Sequence, residues 1–173
     1  MSVIQVNKLP NNYQLIQNLL NQIDNEAAQA TTVGAADTLL HRLRVPAGIV
    51  HQNGMWLILL THGVCLGAAG SKRIACAING VNVINSTAFL NNAGWNLNII
   101  FSRQSATRVV ASEFGMIGGD YGGGLVQGMV QAQTDIAVPF WVGWDVDFDI
   151  TISAQCGNAA DSISAFSSKL LLL

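Results

Sequence analysis

Two periodicities divide the chain. Near the N-terminus, Tyr13, Ile16, Leu20, Ile23, Ala27 and Ala30 recur at alternating spacings of three and four. That is the spacing of one helix face and of a heptad-like seam. Gln14, Asn18, Asn21, Gln22 and Asn25 fall on the opposite face. Pro10-Asn11-Asn12 can start this helix, with an asparagine as its cap. A helix so short is marginal alone and must bury its stripe. Its own domain, a second copy or another protein could cover it. Ala28 to Ala36, with Thr31, Thr32 and Gly34, reads as a flexible connector.

From Leu39 the period changes to two. His41, Leu43 and Val45 alternate with Arg42 and Arg44, up to a turn at Pro46-Ala47-Gly48. Gln52-Asn53-Gly54 is a further turn, and Asn-Gly is a strong hairpin signal. Met55 to Leu66 is a long apolar strand. Lys72 to Ile78 is another, closed by Asn79-Gly80 and continued by Val81 to Ser86. Trp95, Leu97, Ile99 and Phe101 alternate with Asn96, Asn98 and Ser102, the signature of a half-buried strand. Thr107 to Ile117, Leu125 to Gln133, Phe140 to Ala154 and Ile163 to Leu173 complete the set. Gly118 to Gly124, with Asp120 and Tyr121, reads as a loop.

Strands at this regular interval predict a mainly β protein: an antiparallel β-sandwich, jelly-roll-like, with a short N-terminal helical arm. The expected division is an arm with linker over 1–36 and a sandwich domain over 37–173. No internal repeat of propeller or solenoid length is visible.

Composition sharpens the picture. Charged residues make up 10% of the chain and hydrophobic ones 50%, against roughly a quarter charged in ordinary soluble domains. A surface this poor in charge is expected to hide part of itself against copies or a partner. A net charge of −2 carries no nucleic-acid footprint and no polybasic membrane patch. Met1 to Pro10 lacks the basic start and apolar core of a signal peptide. Met55 to Gly70 is interrupted by Thr61, His62 and Gly63, so it does not read as a membrane span. Cys65, Cys76 and Cys156 are odd in number and widely spaced, which speaks against a disulfide framework or a zinc site. They are expected to pack as small hydrophobes in a protein assembled in a reducing cytoplasm.

Candidate chemistry is sparse. His41, His51 and His62 form no ligand motif. Asp145, Asp147 and Asp149 would share one face of a strand and could approach calcium only with further loop oxygens; a solvent face or polar contact is the simpler reading. The glycine run lacks the Lys-Ser/Thr of a phosphate loop, and no nucleophile motif is present. The expectation is no enzyme activity and no cofactor; an enzyme on a cupin-like fold would need clustered metal ligands. Trp56 and Trp95 are expected in the core, and Trp141 and Trp144, of opposite parity, should put one ring outward. Lys169 is followed by four leucines, and alternation would leave some of them in need of cover on each side.

The stretch Leu39 to Gly48 (LLHRLRVPAG), followed by Asn53-Gly54-Met55-Trp56-Leu57, resembles the opening of jelly-roll modules in tailed-bacteriophage virion proteins. The resemblance covers residues 39 to 173 and rests on texture. Cys65 and His62 in the long strand depart from it, and the N-terminal arm lies outside it. It implies a structural role as a capsid decoration (cement) protein, a head fibre or a tail-fibre tip, and it carries over no catalytic residues. The first of these implies a homotrimer on the virion's capsid surface, bound to the major capsid protein and assembled in the host cytoplasm. The alternative is a receptor-binding fibre-tip module holding a surface glycan. The contact residues expected are Tyr13, Ile16, Leu20 and Ile23 on the arm, and Leu171 and Leu173 at the other end of the chain.

Overall fold

The computed structural model describes residues 30–33, 37–67, 71–89, 92–120, 129–130, 133–137 and 143–173. The expected arm helix, with Tyr13, Ile16, Leu20 and Ile23, lies outside the described residues.

Among the described residues, eleven strands form two antiparallel sheets. They are β1 (Ala30–Val33), β2 (Thr38–Val45), β3 (Trp56–Leu66), β4 (Ser71–Ile78), β5 (Val81–Phe89), β6 (Ala93–Ser105), β7 (Arg108–Asp120), β8 (Met129–Val130), β9 (Gln133–Ala137), β10 (Phe148–Cys156) and β11 (Ser162–Leu172). The larger sheet runs β1-β11-β3-β6-β7-β8, with β9 also pairing β7; the smaller runs β2-β10-β4-β5. The chain is thus mainly β and sandwich-like. The β4–β5 and β6–β7 hairpins each keep consecutive strands in one sheet, while β2, β3 and β4 alternate between sheets.

Alternation sets which side chains face inward. On β6, Trp95, Leu97, Ile99 and Phe101 are buried, and the intervening residues are half-exposed. Leu57 and Leu59 of β3 and Leu170 and Leu172 of β11 meet Ile150 and Ile152 of β10, Ile74 and Ile78 of β4, and Leu43 of β2 in one core. Each such side chain contributes about 1.5–3 kcal/mol on leaving water. The three cysteines are free and buried in this core, as expected of small hydrophobes.

Asn79 (φ 47°) and Gly80 (φ 79°) make the tight β4–β5 hairpin. Two successive positive φ values are what an Asn-Gly pair adopts at low cost. The other Asn-Gly pair, Asn53-Gly54, closes no hairpin: β2 and β3 belong to different sheets, so this turn is a crossover. Gly63 is held by contact. A Cβ there would lie 1.8 Å from the Ser164 carbonyl oxygen and 2.7 Å from the Trp95 ring.

Several local expectations change. The stretch read as a connector contains β1, which pairs with β11 from Ala30↔Ala165 to Val33↔Ser162; threonine and valine favour an edge strand there. β7 extends through Gly118, Gly119 and Asp120 because β6 offers it a partner as far as Ala93↔Asp120; residues 121–124 of the glycine stretch lie outside the described residues. The strand expected from Phe140 begins only at Phe148, after a turn near Gly143 (φ 96°). On β11 the register shifts between Ala165 and Ser167, a bulge with Phe166 as the extra residue.

Candidate functional site

The sequence-derived candidates separate into three places: ion pairs at one loop end, a buried polar chain between the sheets, and the outer face of the larger sheet.

The three aspartates do not line one strand face, because only Asp149 lies within β10. Each also has a cationic neighbour. Asp145 sits 3.7 Å from Arg103, Asp147 3.2 Å from Arg44, and Asp149 3.6 and 3.9 Å from Arg44 and Arg42. The Ala47 backbone N–H donates to Asp147 at 2.8 Å. That bond first, and the Arg44 guanidinium second, hold the Asp147 carboxyl below its usual range. Arg42 and Arg44 of β2 thus neutralise Asp147 and Asp149, and Arg103 of β6 stands beside Asp145.

Between the sheets, polar groups form two enclosed contacts. Thr61 donates its hydroxyl to the Ser167 carbonyl at 3.1 Å, and Ser168 donates to Thr61 at 2.8 Å. Ser168 Oγ is left to accept from His41 Nδ1–H at 2.6 Å. All three side chains are buried, so this serine–histidine contact has no face open to a substrate. Close to Cys65, Lys72 Nζ lies 3.1 Å from Asp161 Oδ2, and both side chains are fully enclosed. Burial pushes the Cys65 thiol up to about 12, which makes it unreactive as a nucleophile at neutral pH.

The outer face of the larger sheet is the distinctive surface. On β3, Trp56, Ile58, Leu60, Val64 and Leu66 all point away from the core. Ile58 pairs across to Ile100 of β6 on one side and to Leu171 of β11 on the other. Trp56 and Leu173 exchange both backbone hydrogen bonds at 2.9 Å, which extends the apolar row to the end of the strand. Trp56 is 46% exposed and Leu173 59%. Leu171 is half-buried, whereas Leu170 and Leu172 lie in the core. At the opposite end, Phe166 and Leu66 are exposed. His62 stands edge-on to the Phe166 ring at 6.0 Å and accepts from or donates to Ser167 at 3.3 Å. His62, Leu66 and Phe166, with Gly63, Val64, Asn92 and Gly94, line a pocket of about 550 Å³.

Trp56 was expected in the core. It lies outside because β3 is apolar on both faces and Leu57, not Trp56, shares the phase of the buried row. Trp95 is in the core and donates its indole N–H to the Ser164 carbonyl at 3.2 Å. Trp144 is buried and donates to the Arg108 carbonyl at 3.3 Å; Trp141 lies outside the described residues. Sequence reading missed the outer face as a unit, although every second residue of Trp56 to Leu66 except His62 signals it. No helix among the described residues is long and apolar enough to cross a membrane.

No protein-family model matches the chain, and no curated protein does either. Solved structures similar to it include the CBM2 module of the evolved Dit of Lactobacillus casei BL23 phage J-1. That likeness has 9% identity and a TM-score of 0.32, over 83% of this chain and 75% of that one. A structure of infectious bursal disease virus Gx strain matches at 11% identity and TM-score 0.27, over 86% and 40%. The VP2 subviral particle of infectious bursal disease virus matches at 10% and 0.26, over 85% and 40%. These neighbours are viral structural proteins with β-rich folds. At such TM-scores the likeness is one of general β architecture and carries no argument about role.

Proposed function

We propose that this chain is a non-enzymatic virion structural protein, a capsid decoration subunit that binds the major coat protein lattice as an oligomer, with a homotrimer as the expected form. The observation that carries the reading is the apolar outer face of the larger sheet. A lone soluble sandwich normally turns a polar outer face to water. Here Trp56, Ile58, Leu60, Leu171 and Leu173 do the reverse, in a chain with only 10% charged residues. Exposed apolar side chains gathered in this way, with Lys169 and Asn98 beside Leu60, support a protein contact. Work at such a contact is mechanical: burial of the face against a neighbour adds stability to the shell, and several subunits joined in one oligomer gain from effective concentration once the first is seated.

A receptor-binding fibre tip would need exposed rings beside polar side chains that can hydrogen-bond a glycan. Trp56 neighbours aliphatic residues and Ser102, whereas the exposed Phe166 ring has His62 and Asn92 around it, so binding of the isolated protein to a cell surface would favour the fibre tip. The test is the copy number of this chain in purified particles, by quantitative mass spectrometry against the major coat protein. A fixed, near-stoichiometric ratio to coat is expected. A few copies per particle would move the chain to the tail or a fibre, and absence from particles would overturn the virion reading.

A further inference from the structure

Lys72 and Asp161 meet at the end of the sandwich where the β10–β11 turn reaches β4. Lys72 is the second residue of β4, in register with Cys156 at the end of β10. Asp161 ends the turn that follows, its backbone N–H donating to the Asn158 carbonyl at 3.2 Å. Lys72 Nζ reaches Asp161 Oδ2 at 3.1 Å, and the two side chains are 1% and 0% exposed. Asn158 Nδ2 approaches that same oxygen at 3.5 Å. Gly67 (φ 112°) lies against the other oxygen: a Cβ there would run into Asp161 Oδ1 and stand 2.9 Å from its Cα. An amine and a carboxyl group are thus held in contact, in one orientation, away from water.

We propose that this contact is a modification site: within the folded chain, Lys72 Nζ and Asp161 Cγ condense to an amide crosslink and release one water. One proton first passes from the ammonium to the carboxylate, giving a neutral amine beside a neutral acid. Enclosure lowers the cost of that transfer, because a buried pair of charges has lost its hydration. The Nζ lone pair then bonds to Cγ. A second nitrogen proton passes to the departing hydroxyl, the Cγ–O bond breaks, and water leaves. No oxidant or cofactor enters the balance. Two groups held in register can reach an effective concentration of about 10⁵ M or more, and exclusion of water removes the reactant that would reverse the step. The crosslink ties β4 of the smaller sheet to the start of β11 in the larger. It concerns the folded chain alone and stands whether or not the chain is a virion protein. The ion pair is the form before closure, so stability comparisons on that pair use freshly folded parent whose mass still includes the water.

The test is the intact mass of the full-length parent, freshly folded and after prolonged incubation at neutral pH, beside a sample kept in guanidinium chloride throughout. A species lighter by one water is expected in the folded samples alone, growing at a rate that dilution does not change. Digestion should then yield one branched peptide joining Lys72 to Asp161. Closure of the aspartyl side chain onto its own backbone would also release one water. Lys72→Arg separates the two, since it abolishes the amide and leaves that cyclisation possible. Asp161→Asn keeps the shape of the acid and should release ammonia in place of water, giving the same branched peptide. The proposal is overturned if the folded parent keeps its full mass, if the denatured sample loses water as fast, or if the lighter species contains no Lys72–Asp161 branch. A loss of water that persists in Lys72→Arg overturns it as well.

Discussion

Lys72 and Asp161 are 89 residues apart in sequence and 3.1 Å apart in space, each with almost no exposed surface. Lys72 enters from β4 of the smaller sheet; Asp161 stands just before β11 of the larger. The pair closes one end of the sandwich. Removing one partner leaves the other's charge buried without its ion pair. Lys72→Met or Asp161→Leu should each cost about 3–5 kcal/mol, whereas the double replacement should recover most of that loss. Urea denaturation of the three variants checks it. Additive losses would mean that the two charges are not coupled.

Gly63→Ala forces a Cβ into the Ser164 carbonyl and the Trp95 ring. Neither can retreat, because Trp95 Nε1 is bonded to that same carbonyl. A loss of about 1–3 kcal/mol is expected from overpacking, with a blue- or red-shifted Trp95 emission as the local sign. A variant as stable as the parent would show that β3 and β11 sit further apart than described.

Ser168→Ala removes the acceptor of His41 Nδ1–H and the donor to Thr61. Leaving buried polar groups unpaired should cost about 1–3 kcal/mol. Thermal unfolding of Ser168→Ala beside Ser168→Thr measures it, since threonine retains the hydroxyl. Equal midpoints for the parent and the alanine variant would remove this chain from the account of stability.

Cys65 gives a pH signature. Its thiol is raised from 9.0 to about 12 in the fold, so the unfolded chain releases this proton first as pH rises. Its contribution is fully present below pH 9 and is lost between pH 9 and 12. Cys65→Ala should flatten the decline of stability over that window. At neutral pH the thiol should resist alkylation until the protein unfolds.

Asp147 runs the other way. Its carboxyl is held low by Ala47 N–H and Arg44, so its contribution is present above the unfolded value and is lost as pH falls through the folded one. Carbon-detected NMR titration should place its midpoint below the ordinary aspartate value of 3.8. Arg44→Gln should raise it only in part, because the backbone bond remains.

The outer face can be probed without disturbing the core. Leu173→Asp changes an exposed side chain, and its effect on unfolding should stay within about 0.5 kcal/mol. Self-association in sedimentation, or retention on particles, should fall. If both persist, the Leu173 end of the face is not a contact.

Strand phase was legible in the sequence wherever one face was polar. Trp95 to Phe101 could be assigned inward because Asn96, Asn98 and Ser102 occupied alternate positions. β3 could not, since Trp56, Ile58 and Leu60 are as apolar as Leu57 and Leu59; alternation gives no phase when both sides match. The Asn79-Gly80 hairpin followed from local chemistry. Sheet membership did not, which is why Asn53-Gly54 misled: a turn reports a reversal and says nothing of which sheet the chain re-enters. β1 has no signal of its own strong enough to separate it from a connector, because its order comes from β11. The Lys72–Asp161 and His41–Ser168 contacts are set by topology, with no spacing in the chain to announce them.

The bulge at Phe166 gives β11 two phases. Before it Ile163 and Ala165 face inward; after it Ser168, Leu170 and Leu172 do, and Lys169 faces water. Without the extra residue, Lys169 would take an interior position and two leucines would turn out. Identity at residue 166 is therefore free to drift while chain length there is not. Across diverging copies of this protein, the segment should accept many substitutions and almost no single-residue insertions or deletions, a constraint on reading frame rather than on chemistry.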